Sequence, residues 1–157
     1  MTKHLQNMQS LDLVKELLQV NHSNTSIEIK TEPWNADYEA FRCELNGQTY
    51  MSRRAHKTPK KRGYFFAMWC KDDDNNNRPY QDAEFPMFLV VNVIDGQRFG
   101  QFVFPREVLV KQHIISTTSH KGKMALRVYP TWEEDLNPSA AKTQHWQDKY
   151  FTNLTIE

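Results

Sequence analysis

The segment "FLVVNVIDGQRFGQFVF", residues 88–104, decides the fold class. Two apolar runs flank Asp95-Gly96, and an Asp-Gly pair between such runs predicts a tight β-hairpin, because its turn needs residues that accept positive φ. Both runs are apolar at most positions, as is typical of strands that are buried on both faces. We therefore expect this hairpin to lie at the centre of a sheet.

A second hairpin is predicted upstream, where Asn46-Gly47 joins the two alternating runs of "YEAFRCELNGQTYMSRR", residues 38–54. Pairing across this turn gives the hairpin one apolar face, because successive side chains of a strand point to opposite sides. The other face carries Arg42, Glu44, Thr49 and Arg53. We therefore expect this hairpin to cover the core with one side only.

Shorter periodic segments fill the rest of the chain. Helical periodicity predicts helices over residues 11–21, 105–113 and 138–151, the last of them capped by Asn137. Alternation predicts strands over residues 27–32, 63–69 and 124–129, whereas the polar residues 70–84 are typical of an exposed loop. The sequence thus predicts one α+β domain over residues 1–157, with a mainly antiparallel sheet and N-terminal and C-terminal helices.

Composition indicates a soluble cytoplasmic protein. The chain has 39% apolar and 25% charged residues, as ordinary globular domains do, and no apolar stretch of membrane-spanning length. No apolar segment follows the charges of the first ten residues, so we expect no secretory signal. Cys43 and Cys70 lie in strand-like apolar contexts without a CxxC motif, and we expect both to be buried thiols.

One segment, "RRAHKTPKKR" at residues 53–62, concentrates positive charge. Its cations are Arg53, Arg54, Lys57, Lys60, Lys61 and Arg62, and it contains no acidic residue. The formal net charge of the whole chain is +1 and this segment contributes +6, so the remaining residues carry a net charge of −5. The sequence therefore predicts a dipolar surface, with one basic site on a mildly acidic body.

Two interpretations of this basic segment stand side by side. Lysines and arginines next to an aromatic strand suit a phosphate-rich ligand such as a nucleic acid. The cations would contact its phosphate backbone, and the aromatic rings would stack on its bases. Alternatively, the segment is a solvated loop whose charges keep the sheet soluble and its edge unpaired. Thr58-Pro59 predicts a turn within it under either interpretation, because proline restricts its own φ and the residue before it.

The C-terminal helix places Lys142, Trp146 and Tyr150 at successive i+4 positions. This stripe could extend the basic site with aromatic and cationic groups. It could equally be the ridge that docks the helix on the sheet, which we favour because aromatic i, i+4 pairs normally face a core.

A metal-dependent nuclease is the alternative from a different functional class. Such an enzyme needs acidic ligands and a lysine that converge from neighbouring strands, and the candidate carboxylates are Glu44, Glu84, Asp95 and Glu107. The third strand runs into Trp69-Cys70-Lys71, which lacks the acid that a restriction-endonuclease type of enzyme carries two residues before its lysine. The histidines show neither HxH nor HExxH spacing. We therefore expect no metal, no cofactor and no catalytic residue.

Four segments together resemble the MepB family of small bacterial proteins: "HKTPKKRGYFFAMW", "GQFVFPREVLVKQHIIS", "GKMALRVYPTW" and "TQHWQDKYF". The resemblance extends over approximately residues 38–151. Its most specific pieces are the Thr-Pro-Lys-Lys-x-Gly loop, the Phe-Val-Phe-Pro junction and the Arg-Val-Tyr-Pro strand end. The resemblance implies a bacterial cytoplasmic protein but does not imply a biochemical mechanism.

Positions that match these motifs add residues to the candidate site: Arg127 and Tyr129 on the last strand, and Gln144, Trp146 and Gln147 on the final helix. The predicted anion-binding residues are Arg53, Arg54, Lys57, Lys60, Lys61, Arg62, Arg127 and Trp146. Our leading hypothesis is a binding module for nucleic acid or another polyanion, without membrane association. The alternatives are the nuclease-like phosphodiesterase and a regulatory module whose basic segment meets an acidic protein partner.

Overall fold

An eight-stranded mixed sheet forms the framework of the protein in the computed structural model, which describes residues 8–19 and 27–156. The helices are α1 (Gln9–Leu17), α2 (Arg106–Lys111) and α3 (Pro138–Gln147). The strands are β1 (Glu28–Thr31), β2 (Phe41–Leu45), β3 (Gln48–Lys57), β4 (Tyr64–Ala67), β5 (Cys70–Lys71), β6 (Asn77–Arg78), β7 (Phe88–Asp95), β8 (Arg98–Pro105), β9 (Ala125–Val128) and β10 (Phe151–Asn153).

The strand order of the sheet is β1-β2-β3-β7-β8-β10, and β3 and β7 are the parallel pair within it. The end of β3 also pairs with β4, which pairs in turn with β9, so the sheet branches at this point. Strands β5 and β6 form a separate small ribbon. The α+β class with a mainly antiparallel sheet is confirmed. The predicted extent of the domain, residues 1–157, includes positions outside the described residues and stays a prediction.

The β7–β8 hairpin lies in the middle of the sheet, as predicted. Val90, Val91 and Val93 are completely buried, because β7 has β3 on one side and β8 on the other. The turn is shifted by one residue from the prediction: Asp95 pairs with Arg98, so Gly96 and Gln97 are its central residues. Gly96 has a φ of +60°, which places the glycine at the first central position, as in a type II′ turn.

The β2–β3 hairpin turns at Asn46-Gly47 as predicted, with φ values of +53° and +80°. The expectation that it covers the core with one side only is wrong for β3. Met51, Ser52 and Arg53 are consecutive and all completely buried, so both faces of this strand are covered. The cause is the parallel pairing with β7, which places β3 inside the sheet rather than at its margin.

Two apolar clusters cover the two faces of the sheet. The smaller one packs Leu11 and Val14 of α1 against Phe41, Tyr50 and Val90. Helix α1 ends at Leu17, whereas the sequence predicted a helix to Asn21; Val20 and Asn21 lie outside the described residues. Of the two cysteines, Cys43 joins this cluster and Cys70 the larger one, and both are buried free thiols as predicted.

The larger cluster contains the aromatic strand β4. Tyr64, Phe66 and Met68 are at most 2% exposed, together with Leu109 of α2 and Phe104 of β8. Phe65 points the other way, as predicted from its alternation with its neighbours.

The polar segment 70–84 is only partly the exposed loop that the sequence predicted. It contains the β5–β6 ribbon, and Tyr80 within it is 4% exposed because its ring packs edge-on against Phe85.

The predicted cap of the last helix is confirmed: the Asn137 side chain accepts a hydrogen bond of 2.8 Å from the Ala140 amide. Across residues 8–19 and 27–156, none of the helices has the length and apolar character that crossing a membrane requires.

Candidate anion-binding site

A short loop, residues 58–63, connects β3 to β4 and carries the free part of the basic segment. Lys60, Lys61 and Arg62 are exposed on this loop, and Lys57 is exposed at the end of β3. We call Lys57 and residues 58–63 the basic loop. Arg53 and Arg54 lie within β3 instead, so the six predicted cations do not form one surface.

Arg53 is a structural residue, and its predicted role as an anion contact is wrong. Its guanidinium is completely buried and donates hydrogen bonds of 2.8 and 3.1 Å to the two carboxylate oxygens of Glu32. Its Nε donates a further bond of 3.1 Å to the Ala67 carbonyl. Burial alone would raise the pKa of Glu32, but the charge and hydrogen bonds of Arg53 hold that pKa below its ordinary value. The pair is therefore ionised within the fold.

Arg54 is also matched by a carboxylate. Its Nη1 atom lies 2.8 Å from Glu39 Oε2, and its side chain is only 19% exposed. Burial would raise the pKa of Glu39, but hydrogen bonds from Arg54 and Ser10 hold that pKa below its ordinary value. The predicted contribution of Arg54 to an exposed cationic surface is therefore wrong, because its charge is already neutralised.

Arg127 holds the basic loop on the sheet. From β9 its Nη1 atom donates to the Thr58 hydroxyl at 2.9 Å and to the Arg62 carbonyl at 3.2 Å. These bonds hold the Thr58 side chain at the start of the loop and the Arg62 backbone near its end, while the lysine side chains between them are exposed. The structure thus brings Arg127 to the basic loop and gives it a positioning contact there, whereas its predicted role as an anion-binding residue stays a prediction.

Gly63 closes the loop in a conformation that favours glycine. Its φ is +84°, and a Cβ at this position would lie 2.7 Å from the Tyr129 ring and 2.9 Å from the Val128 carbonyl oxygen. Val128 ends β9 and Tyr129 follows it, so the loop and the Arg-Val-Tyr-Pro segment are packed directly together.

A cavity of about 450 Å³ opens beside the basic loop. The loop forms one wall, with Arg98 of β8 nearby, and Glu133, Glu134 and Asp135 form another. Arg62 and Asp135 approach to 4.0 Å, and both side chains are more than half exposed, so solvent and salt screen this pair. Five cationic side chains thus line the cavity together with three carboxylates.

The floor of this cavity is a fixed chain of polar groups. The Tyr64 hydroxyl donates to Asp95 Oδ2 at 2.7 Å and accepts from the Trp132 indole nitrogen at 3.1 Å. Burial and the bond to Asp95 raise the pKa of Tyr64 well above its usual range, so the phenol stays protonated at neutral pH. Arg98 covers the Trp132 ring at 5.7 Å. These groups shape and support the cavity.

Trp146 does not line the cavity beside the basic loop, so the structure does not bring it together with the loop cations, and its predicted anion contact stays a prediction. Its ring packs against Phe104 at 5.5 Å and lines a different cavity together with Tyr150 and Lys149. The favoured interpretation of the helix stripe as a docking ridge is therefore the one that the contacts support.

The two glutamines of the family motif connect the last helix to the strand that holds the loop. Gln147 is completely buried, accepts from the Tyr129 amide at 2.9 Å and donates to the Arg127 carbonyl at 3.1 Å. Gln144 donates to the Pro130 carbonyl at 3.0 Å. Helix α3 thus supports the site from behind without contributing to its surface.

The four candidate carboxylates for a nuclease lie in different places. Glu84 is paired with Arg78, Asp95 accepts from Tyr64, and Glu44 and Glu107 line two further separate depressions. Among residues 8–19 and 27–156, no three His, Cys, Asp or Glu side chains lie close enough together to hold a metal ion. The convergence that a two-metal phosphodiesterase requires is therefore not met by these residues.

The acidic wall at residues 133–135, together with Arg98 and Trp132, was missed in the sequence. A signal was present, because "TWEED" at residues 131–135 contains three consecutive acidic residues in a nearly neutral chain. Its pairing with the basic loop depends on the β4–β9 contact, which local patterns do not reveal.

This fold and site define a class: small α+β proteins with an exposed basic loop fixed at a branch of a mixed sheet. A family model described as MepB-like matches residues 32–153. The chain belongs to the MepB-like family. Its structure is similar to the crystal structure of MepB, with 43% sequence identity and a TM-score of 0.84; the match covers 96% of this chain and 99% of that one.

A second solved structure matches at a much lower level. It is a bacterial homing endonuclease, I-Ssp6803I, with 14% identity and a TM-score of 0.45 over 92% of this chain and 94% of that one. A likeness at this level carries no argument about activity. No curated protein matches the sequence.

Proposed function

We propose that this protein is a binding module for nucleic acid, with the basic loop as the surface that contacts phosphate groups. Exposed lysines and arginines supply the salt-dependent part of such binding, because each phosphate contact releases condensed counterions. The same surface would also attract other polyanions, so the class of ligand is decided by experiment.

The observation that carries the proposal is the way the loop uses its hydrogen bonds. Arg127 and Gly63 fix the loop backbone, whereas the ammonium groups of Lys60 and Lys61 remain exposed. Preordered donors bind an anion at lower entropic cost than donors on a mobile segment, because less freedom is lost on binding. The nearest carboxylate oxygens to Lys57 and Arg62 belong to Asp95 and Asp135, and each lies 4.0 Å away. Salt readily screens such long pairs at the surface.

The acidic wall limits how a nucleic acid could lie on this surface. Glu133, Glu134 and Asp135 face the cavity, and they would repel phosphates that enter it. Phosphate contacts are therefore expected at the solvent-exposed ends of Lys57, Lys60, Lys61 and Arg62, outside the cavity that these side chains line. With four cations in contact, the protein would cover only a short stretch of nucleic acid.

The salt dependence of binding tests this proposal. If these four cations each contact a phosphate of a duplex, log K should fall against log salt with a slope near −3.6, taking about −0.9 per contact. Replacing Lys60 and Lys61 together by alanine should flatten the slope to about −1.8. Fluorescence anisotropy with a labelled duplex over a series of KCl concentrations measures both slopes.

A matched control separates the basic loop from overall charge. Lys121 and Lys123 are exposed on another loop, and their double alanine variant loses the same net charge. It should keep the slope of the unaltered protein. Equal effects of the two double variants, or an affinity that does not depend on salt, would show that the basic loop is not the contact surface. Binding of heparin but not of DNA would indicate a polyanion other than nucleic acid.

A further inference from the structure

A second charged cavity, of about 330 Å³, lies between the β1–β2 edge of the sheet and the β5–β6 ribbon. It shares no residue with the cavity beside the basic loop. Its charged lining consists of Lys30, Glu32, Arg42, Lys71, Arg78 and Glu84. The volume is at the lower end of the range for small-molecule sites.

Both carboxylates of this cavity are already occupied. Glu32 accepts two hydrogen bonds from the buried Arg53 and a third, of 2.7 Å, from the Tyr80 hydroxyl, and its side chain is 6% exposed. Glu84 accepts from both terminal nitrogens of Arg78 and from the Gln81 amide at 2.7 Å. Each carboxylate is therefore hydrogen-bonded to one arginine, and its interaction with Arg42 is a longer electrostatic one.

Three cations of the cavity lack such a match. Arg42 is 37% exposed, and its nearest carboxylate oxygen, on Glu32, is 3.9 Å from Nε, which is too long for a hydrogen bond. The Lys71 ammonium lies over the Trp69 ring at 5.2 Å, and Lys30 is exposed. Within the described part of the chain, no carboxylate lies within 4.0 Å of Lys30 or Lys71.

The strand register brings two of these cations together. Lys30 of β1 stands directly opposite Arg42 of β2, and like charges at such a position destabilise a strand pair. Glu28 and Glu44 form the neighbouring pair on the same face and line an adjacent depression together with Lys30 and Arg42, at more than salt-bridge distance from both cations. The repulsion between Lys30 and Arg42 would be relieved by an anion bound between them.

We propose that this cavity binds an oxyanion, the phosphate or carboxylate group of a small molecule, with Arg42 as its principal donor. The Arg42 guanidinium lies 5.5 Å from the centre of the Tyr80 ring, and Tyr80 is itself fixed by its bond to Glu32. A guanidinium held in this way presents its terminal nitrogens as a fork that matches a carboxylate or phosphate. Lys30 and Lys71 add charge at the rim.

Glu32 of the buried Glu32–Arg53 ion pair also lines this cavity. Glu32 and Arg53 stabilise little as a pair, since an apolar pair of similar volume often does as well. Glu32 is hydrogen-bonded to Arg53 and Tyr80, and its Oε1 atom lies 3.9 Å from Arg42 Nε, so these groups lie together beside the cavity. The anion would bind above a network in which every carboxylate is already neutralised.

Inorganic phosphate is the probe for the experiment. The ¹⁵N-labelled full chain is titrated with potassium phosphate at constant ionic strength, and the Arg42 Nε–H and Trp34 indole signals are followed by NMR; Trp34 lines the same cavity. We expect both signals to shift and saturate together. In Arg42→Met the Trp34 signal should report binding about tenfold weaker or more, as expected for the loss of a charge-assisted donor. Arg42→Lys should fall between the two.

Controls distinguish this site from the basic loop. Lys60→Met removes a charge from the basic loop and should leave phosphate binding, as reported by the Trp34 signal, unchanged. The proposal for the Arg42 cavity and the proposal for the basic loop can therefore be tested independently. Lys71→Met, at the rim, should weaken binding in the same direction as Arg42→Met and serves if that variant does not fold. Acetate in place of phosphate distinguishes a carboxylate from a phosphate site. A shift that does not saturate, or equal binding in Arg42→Met and the unaltered protein, would overturn the proposal.

Discussion

Arg127 is the residue on which the order of the basic loop depends. Its side chain is half-buried beneath the loop, lies 5.8 Å from the Phe65 ring and donates both hydrogen bonds from β9 to the loop. Lysine could replace its charge but not its planar group of donors. The positioning role of Arg127 is therefore separable from its charge.

We expect Arg127→Met to loosen the basic loop without unfolding the domain. Loss of a charged donor to the loop should raise the population of the open loop by about tenfold or more, corresponding to about 1.4 kcal/mol. Limited trypsin digestion measures this opening, because the loop contains Lys60, Lys61 and Arg62. Cleavage after Lys121 and Lys123 provides an internal control within the same chain. Unchanged cleavage of the loop would show that Arg127 does not hold it.

Single residues also show where sequence patterns stop being informative. Arg53 and Arg54 were predicted to be exposed because no acid lies within their own segment, yet Glu32 and Glu39 pair with them from 21 and 15 residues upstream. A pattern that extends over about ten residues cannot include such partners. The lysines of the loop were predicted correctly as exposed, and among the described residues Asp95 is the carboxylate that approaches one of them, at 4.0 Å from Lys57.

At the level of elements, the locally determined features were predicted best. The Asn46-Gly47 turn and the Asn137 cap each depend on a few adjacent residues, and both occur as expected. The two-sided burial of β3 was not predicted, because it results from parallel pairing with β7, more than 30 residues further along the chain. Alternation in β3 itself gives no sign of that partner.

Strand β4 and the loop that precedes it should differ sharply in their contribution to stability. Phe66 is completely buried in the larger cluster, and Phe66→Ala should cost about 3–5 kcal/mol of unfolding free energy. Lys60 is exposed, and Lys60→Ala should change that free energy by less than about 0.5 kcal/mol. Urea unfolding midpoints measure both values.

Phe65→Ala is the matched control on the same strand. Phe65 lies on the opposite face, only partly buried, where it contacts Tyr38 at 6.0 Å between ring centres. Its truncation should cost less than that of Phe66. If Lys60→Ala destabilised the protein as much as Phe66→Ala, the basic loop would be part of the structural framework, and our proposal of a free binding surface would fail.

At the scale of the whole molecule, some charged side chains form ion pairs inside the fold and others lie on exposed surfaces. Glu32 and Glu39 neutralise Arg53 and Arg54 inside the fold, whereas the basic loop and the Arg42 cavity carry cations without a close carboxylate. The sequence predicted one basic site, because the segment 53–62 is continuous. The structure divides that segment and assembles the second site from strands that lie apart in the chain. Only the contacts between β1, β2 and the β5–β6 ribbon bring its residues together.

The internal pairs predict how stability depends on pH. Glu32 and Glu39 have pKa values below the ordinary value in the folded protein, so the unfolded chain binds protons first as the pH is lowered. The unfolding free energy should therefore have its full value at pH 7 and fall as the pH drops below about 4.5.

Glu32→Gln should lower the unfolding free energy by about 3 kcal/mol at pH 7, since Arg53 is left without a counter-charge. The variant should also lose less stability on acidification than the unaltered protein. Urea unfolding from pH 7 to pH 3 measures both effects, with Glu28→Gln at an exposed position as the control. A Glu32→Gln protein as stable as the control at pH 7 would show that the buried pair does not hold this part of the fold together.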